Sequence, residues 1–377
     1  MGNGPYDVIV VGVGGMGSAA CHHLARRGAR VLGLERFDIP HAHGSSHGIT
    51  RIIRLAYYED PAYVPLLRRA FELWRALGEE VDERILVTTG SLDAGYEGSG
   101  VFEGSLASCL EHGLRHEVLT GTEVKRRFPG YRLPDAHRAL LQPDGGFVLS
   151  ERAIVAHVTL AQRHGADIRA REAVTGWSPL PGGGVRVTTT RGVYEAGRLV
   201  LSPGAWIGDF VPALTGIAVP ERQVLGWFPP DDPGLFAPDR FPVLNLMVEE
   251  GRYYLLPVWG VPGLKIGLYH HRGETGHADA IRRDVDGEDE AILRRCIGRY
   301  FPRADGPTMA LHACMFTNTP DEHFIIDALP GQEDVIVASP CSGHGYKFAS
   351  VVGEILADLA LSGRTGFDLS MFRLGRF

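Results

Sequence analysis

Six consecutive residues, Gly12-Val13-Gly14-Gly15-Met16-Gly17, fit G-x-G-x-x-G, the spacing that brings a pyrophosphate against bare backbone. Gly12 permits the tight turn and Gly14 lets backbone approach the phosphates. Gly17 lets the following helix pack on the strand, so that the helix N-terminus faces the negative charge. Glu35, an acid about 20 residues further on, is placed to hold ribose hydroxyls. Four other groups could do chemistry. Arg51 and Arg54 carry guanidinium forks that suit carboxylates or phosphates, and Lys265 is a cation inside a strand-like apolar run. Cys314 is a thiol, and Lys347 follows a second glycine-rich turn, Ser342-Gly343-His344-Gly345. From the residues alone a plain role stays open for each: a salt-bridged surface turn, an exposed edge strand, a buried inert thiol, a simple helix start.

A glycine-rich turn holds a dinucleotide only in the right setting, and that setting is present in order. Val8 to Val11 is a short apolar run of the kind a buried parallel strand needs. Ser18 to Arg27 reads as a helix stopped by Gly28, and Val31 to Leu34 as a second strand ending in Glu35. Tyr63, Leu66, Leu67, Ala70, Phe71, Trp74 and Leu77 recur at helical spacing up to Gly78 and predict a core-facing helix. Ser150 to His164 predicts another helix, followed by a strand at Ala166 to Ala170, a hairpin around Pro181 to Gly184 and a strand at Arg198 to Leu201. That last strand runs into Ser202-Pro203-Gly204-Ala205-Trp206, and backbone at such a strand end approaches ligands in doubly wound folds. From Val219 to about Ala310 the pattern is an antiparallel sheet with a helix over Glu288 to Tyr300. A strand at Asp334 to Ser339 and a helix to about Leu361 close the chain.

A length of 377 residues exceeds what one core supports, so two domains are expected. Apolar content of 44% and charged content of 22% belong to an ordinary globular protein. The net charge of -7 speaks against nucleic acid as the partner, because neutralising phosphates needs a basic surface. No run of about 18 apolar residues and no leader signal predict a protein without membrane contact, placed in the cytoplasm. The five cysteines are odd in number and form no C-x-x-C pair, as reduced thiols would. His41, His43 and His47 share one loop, but no carboxylate or cysteine joins them at ligand spacing, so no metal is expected.

Four segments together resemble the monomeric sarcosine oxidase and N-methyltryptophan oxidase family of FAD-dependent amino-acid oxidases. They are Gly44-Ser45-Ser46-His47-Gly48-Ile49-Thr50-Arg51-Ile52-Ile53-Arg54, Leu264-Lys265-Ile266-Gly267, the stretch from Cys314-Met315-Phe316-Thr317 to Asp327, and Ser342-Gly343-His344-Gly345-Tyr346-Lys347. The resemblance covers nearly the whole chain. It implies an α/β fold with a Rossmann-like FAD-binding domain (residues 1–85, 145–215 and 311–377) and an antiparallel-sheet substrate domain (86–144 and 216–310), of the glutathione-reductase-like, amino-acid-oxidase type.

By that resemblance FAD lies against Gly12, Val13, Gly14, Gly15, Met16, Gly17, Glu35 and Arg36, and is joined covalently to the Cys314 sulfur. Further cofactor contacts come from Ser45, Arg51, Ile52, Val174, Gly204, Trp206, Met315, Gly343, His344, Gly345 and Lys347. Arg54 and Lys347 bind the substrate carboxylate beside Tyr254 and Phe316, and Arg51, Lys265, Tyr254 and His270 serve the chemistry. Two departures from the family pattern matter: by motif His270 takes the histidine position, whereas by count Tyr269 does, and Phe316 stands where a tyrosine is usual. The implied activity is oxidation of the C–N bond of sarcosine or another N-substituted amino acid by O2, giving an imine and H2O2, in a monomer with a small amino acid as its partner. The alternatives are an oxidase of fructosyl (Amadori) amino acids and an FAD-dependent amino-acid dehydrogenase.

Overall fold

The computed structural model describes residues 6–377. Residues 1–5, the start of the first expected domain, lie outside the described residues. Two eight-stranded sheets and a small three-stranded sheet organise the chain.

The first sheet is built on Tyr6–Val11, whose last four residues are buried, as a strand covered on both faces must be. It pairs in parallel with Val31–Leu34 on one side and Val193–Leu201 on the other. Asp167–Arg169 extends the parallel set beyond Val31–Leu34, and Gln332–Ser339 extends it beyond Val193–Leu201. The long strand Val193–Leu201 is shared: its first half also pairs antiparallel with Val185–Thr189, the inner arm of the hairpin anticipated around Pro181. Strand order in the chain thus switches beside the glycine turn, which is where ligand crevices open in doubly wound sheets.

Helix Gly15–Arg26 begins three residues earlier than the sequence pattern suggested, inside the glycine motif itself. It packs against Ser150–Arg163 and Ala349–Ser362. The Tyr63 to Leu77 stripe becomes the buried face of helix Val64–Val81, with Trp74 fully buried. After Gly345 the chain first makes a 3₁₀ turn, Tyr346–Phe348, and only then helix Ala349–Ser362, so the second glycine turn does not open the helix directly.

The second sheet runs in the order 310–318, 219–228, 264–268, 251–256, 243–248, 91–95, 138–142, 117–120. All its pairs are antiparallel except Val243–Val248 with Ser91–Gly95, which is parallel. Strand Ala310–Asn318 pairs along its whole length with Val219–Phe228. The second sheet therefore continues past the 310/311 boundary expected from sequence and carries Cys314 with it; the Cys314-Met315 segment is an outer strand of this second sheet, not part of the parallel layer. Thr50–Ile53, Gly146–Leu149 and Leu86–Thr88 form the small sheet that brings Arg51 between the two layers.

Candidate active site

The turn Gly12 to Gly17 has the shape its spacing implies. Gly12 sits at φ +85, and a Cβ there would meet the Ser202 carbonyl oxygen at 2.5 Å. A Cβ on Gly17 would lie 1.8 Å from the Gly12 carbonyl oxygen, so this glycine is buried under the turn and does not face the cavity above it. A Cβ on Gly14 would meet nothing nearer than Ser46 Oγ at 3.7 Å, leaving open space over its backbone. The helix that starts here has a glycine N-cap with no side chain and no acid in its first turn; the Gly15 N–H reaches Ser46 Oγ at 3.3 Å, and the positive dipole end faces the cavity without a fixed negative charge. Glu35 is buried at 5% exposure and accepts from the backbone N–H of Val13 at 2.9 Å and of Phe37 at 3.0 Å. Burial pushes its carboxyl pKa up.

Above the turn one cavity of about 510 Å³ runs from Glu35 to Lys347. Of the residues anticipated around the cofactor, Gly12, Val13, Gly14, Gly15, Met16, Glu35, Arg36, Ser45, Arg51, Ile52, Val174, Gly204, Trp206, Cys314, Met315, Gly343, His344, Gly345 and Lys347 all line it. Arg54, Tyr254 and Phe316 of the substrate set line it as well. A dinucleotide therefore fits these residues: bare backbone at one end, an uncapped helix, an acid at ribose distance in sequence, and room that continues to the second glycine turn.

His270 is not on this wall, which corrects one expectation. Side chains alternate along Leu264–Leu268, so Lys265, Gly267 and Tyr269 share a face. Tyr269 lines the cavity, its ring packed edge-on against Tyr254 and beside Phe316. His270 falls one residue beyond, at φ +59, half exposed and paired with Glu221 at 2.8 Å and Glu322 at 3.2 Å. Counting, not the Tyr-His motif, gives the residue that faces the site. Gly267 makes room in that row: a Cβ there would lie 2.2 Å from the Tyr254 ring.

Lys265 lies behind the wall. Its strand is central, paired with Val219–Phe228 and Gly251–Leu256, so the exposed-edge alternative is excluded. Its Nζ donates to the carbonyls of Gly48 at 2.7 Å and Thr50 at 2.6 Å, with Thr50 Oγ1 at 3.3 Å, three acceptors for the three N–H bonds of an ammonium. Burial pushes its pKa well down, and Arg51 nearby acts in the same direction. Arg51 itself donates to the carbonyls of Thr50 (2.9 Å), Ser45 (2.7 Å) and His47 (2.5 Å), and lies 3.9 Å from the Cys314 sulfur. Burial would raise the Cys314 thiol, yet the neighbouring His47 and Arg51 bring it down to about 6, the range of a reactive thiolate.

Arg54 is fully enclosed. It donates to the Ala56 carbonyl at 2.5 Å, pairs with Glu59 at 2.6 Å and lies 3.7 Å from Asp93, between the rings of Tyr57 and Tyr58. Its Nε and the second Glu59 oxygen have no hydrogen-bond partner among the described residues. Lys347 Nζ donates to the His344 carbonyl at 2.6 Å, which leaves two of its N–H bonds unassigned. Burial, then Arg54, lowers its pKa to about 7. Sequence reasoning missed Glu59, Asp93 and Asn245 in this region. Asn245 lines the cavity and gives its amide nitrogen to Asp93 at 2.7 Å, a contact made by the parallel strand pair and invisible in residue spacing. His47 was legible as part of a histidine loop, but its place beside Cys314 comes only from the fold.

Comparison with known proteins agrees with this geometry. The FAD dependent oxidoreductase family matches residues 7–359. The chain is 41% identical to a monomeric sarcosine oxidase of Streptomyces avermitilis, over 97% of this chain and 96% of that protein. It is 37% identical to an N-methyl-L-tryptophan oxidase of Salmonella dublin, with 99% of both chains covered. Among solved structures it is similar to NikD, described as an unusual amino acid oxidase essential for nikkomycin biosynthesis, at 29% identity and a TM-score of 0.84, covering 98% of this chain and 97% of that one.

Proposed function

The chain belongs to the family of FAD dependent oxidoreductases, and within it we propose a flavoprotein oxidase that oxidises the C–N bond of a secondary, N-methyl-type amino acid with O2, releasing H2O2. The observation that carries this reading is the single cavity that joins the pyrophosphate turn to Arg54 and Lys347, so that a cofactor and a small carboxylate can lie end to end. FAD, when bound, supplies the electron chemistry.

The protein's own residues bind and orient. The glycine turn and Glu35 hold the adenosine diphosphate part, and Cys314, with its thiol lowered by His47 and Arg51, is the side chain to hold the cofactor covalently. Lys347, with two unassigned N–H bonds, and Arg54, which lines the cavity as a buried cation, bind the substrate carboxylate. Tyr254, Tyr269 and Phe316 form an aromatic wall around the substituted amine and exclude water from it. Lys265 and Arg51 offset negative charge where oxygen is reduced. A monomer in the cytoplasm completes the reading: the relatives include a protein named monomeric sarcosine oxidase, and the five cysteines are free thiols, as a reducing compartment keeps them.

The test uses purified holoenzyme. H2O2 formation is expected with N-methyl amino acids and not with the same amines lacking the carboxylate. Acid precipitation should leave the yellow colour on the protein in wild type and release it from Cys314→Ala. Equal turnover of an amine without a carboxylate removes Arg54 and Lys347 from the substrate wall; colour released from wild type removes the covalent link.

A further inference from the structure

We propose that His22, Glu80 and His164 form a binding site for one borderline transition-metal dication, of the zinc, nickel or cobalt type, at the end of the first helix remote from its glycine turn. Three helices meet there. His22 lies on Gly15–Arg26, Glu80 in the last turn of Val64–Val81, and His164 caps the C-terminus of Ser150–Arg163. One ligand atom from each lies within 4.8 Å of the others. The rings of His22 and His164 stand nearly parallel, 6.2 Å apart.

Proton bookkeeping at His22 gives the second, independent reason. Its Nδ1 lies 3.1 Å from Nδ1 of His157, and both rings are buried, at 3% and 2% exposure. The contact between the two Nδ1 atoms requires one to donate and the other to accept. Neither Nε2 has a partner among the described residues. If His22 donates from Nδ1, its Nε2 keeps a buried lone pair, and His157 becomes the acceptor that fixes the tautomer. That is the arrangement by which a metal-bound imidazole is commonly oriented by a second residue.

The other two ligands supply what His22 cannot. Glu80 and His164 are exposed, so their side chains can rotate onto the fixed imidazole and shorten the separations to those of bonds of about 2 Å to one ion. Glu80 already gives one oxygen to Arg26 at 3.0 Å, which leaves the other for a metal. Two imidazoles and one carboxylate favour zinc-like dications over calcium or magnesium. None of the three residues lines the cofactor cavity, so the ion would pin helix ends together and take no part in the oxidation.

Chelator-treated holoenzyme titrated with Co2+ and Zn2+ tests the site. One ion per chain is expected, with a Co2+ visible spectrum characteristic of imidazole ligation and a melting temperature that rises with Zn2+ concentration. His164→Ala and Glu80→Gln alter only exposed side chains, so folding and flavin content should persist. Each should weaken binding by more than the roughly 10- to 100-fold typical of an outer-shell change. No binding to wild type overturns the proposal. Equal binding by wild type and both variants also overturns it and places the ion elsewhere, for example on the His41 and His43 loop.

Discussion

The two ends of the cavity are built in different ways. At the end proposed for the pyrophosphate a single stretch, Tyr6 to Glu35, supplies strand, turn, helix and acid, and the Gly12 to Gly15 turn presents largely backbone to the cavity. At the end proposed for the substrate, Arg54, Tyr254, Tyr269, Phe316 and Lys347 arrive on five separate segments and line the cavity. A site made of backbone is written in local spacing, because it depends on which residues lack a Cβ. A site made of side chains depends on strand pairing and on the face to which each residue points, and spacing fixes those only after the sheets are known.

The largest effect expected is at the first end. Gly17→Ala places a methyl 1.8 Å from the Gly12 carbonyl oxygen and 2.8 Å from Ser202 Oγ; the nearer atom is backbone, which no rotamer change moves aside. Overpacking of this kind commonly costs ~1–3 kcal/mol or more, and here the cost falls on the turn that shapes the phosphate site. The variant should lose its flavin and melt at lower temperature, read by the ratio of visible to ultraviolet absorbance and by thermal unfolding. Full flavin content would mean that the turn tolerates displacement and that the two ends differ less than their construction suggests.

Next in size is Lys265→Met. Removing one preorganised donor commonly slows a step by ~10²- to 10³-fold. The loss should appear when reduced enzyme meets oxygen, with anaerobic reduction by substrate held within about tenfold of wild type, both followed by stopped flow. Slowed reduction with unchanged reoxidation would make Lys265 a residue of the substrate side. The Gly48 and Thr50 carbonyls that hold its ammonium belong to the same loop and strand as Arg51, so a fall in both steps would show that the lysine chiefly fixes that segment.

Much of the fold was legible in the sequence, and the reasons differ by region. The strand at Val8, the glycine turn, the Trp74 stripe and the helix over Glu288 to Tyr300 follow local periodicity, which survives any tertiary arrangement. The 310/311 boundary did not, because an outer strand of one sheet directly preceding strands of the other carries no compositional mark. Lys265 was recognisable as a cation out of place, but whether it was exposed depended on a strand on each side, one of them Val219–Phe228, well back in the sequence. The pairs Glu59 with Arg54 and Asn245 with Asp93 were not legible at all. His270 shows the limit most sharply: one extra residue between Lys265 and the histidine left motif and count in disagreement, and the cavity wall holds Tyr269 and not His270.

A smaller effect is expected from Lys347→Met. Charge-assisted bonds are typically worth ~1.5–3 kcal/mol, so KM should rise about 10- to 100-fold with little change in kcat. The pKa of about 7 adds a sign. In the free enzyme Lys347 is charged below that value and loses its proton as pH rises through it, so its attraction for a carboxylate falls over the same interval. Wild-type KM should therefore gain a rising limb above about pH 7 that the variant lacks. A limb of equal size in both would assign the titration to the substrate amine or to another group.

The smallest effect, and the one that most directly tests the assignment of faces, belongs to His270. Because it lies outside the cavity, His270→Gln should leave kcat and KM within about twofold of wild type, whereas Tyr269→Ala should change the order of preferred substrates by opening the aromatic wall. What His270 does instead is electrostatic and structural. Hydrogen bonds that its ring N–H groups donate to the carboxylates of Glu221 and then Glu322 raise its pKa from the ordinary 6.5 to about 9. A group whose folded pKa is raised contributes stability that is fully present below its unfolded pKa and is lost as pH climbs through the folded one. Wild type should thus melt above His270→Gln at pH 6, with the gap shrinking between about 6.5 and 9 and closing above it. The side chain is 46% exposed, so solvent screens the pair and the gap at low pH should be small. A variant that loses activity at every pH with unchanged melting would return His270 to the active site and would mean that the Tyr-His motif, not the strand count, marks the residue facing the substrate.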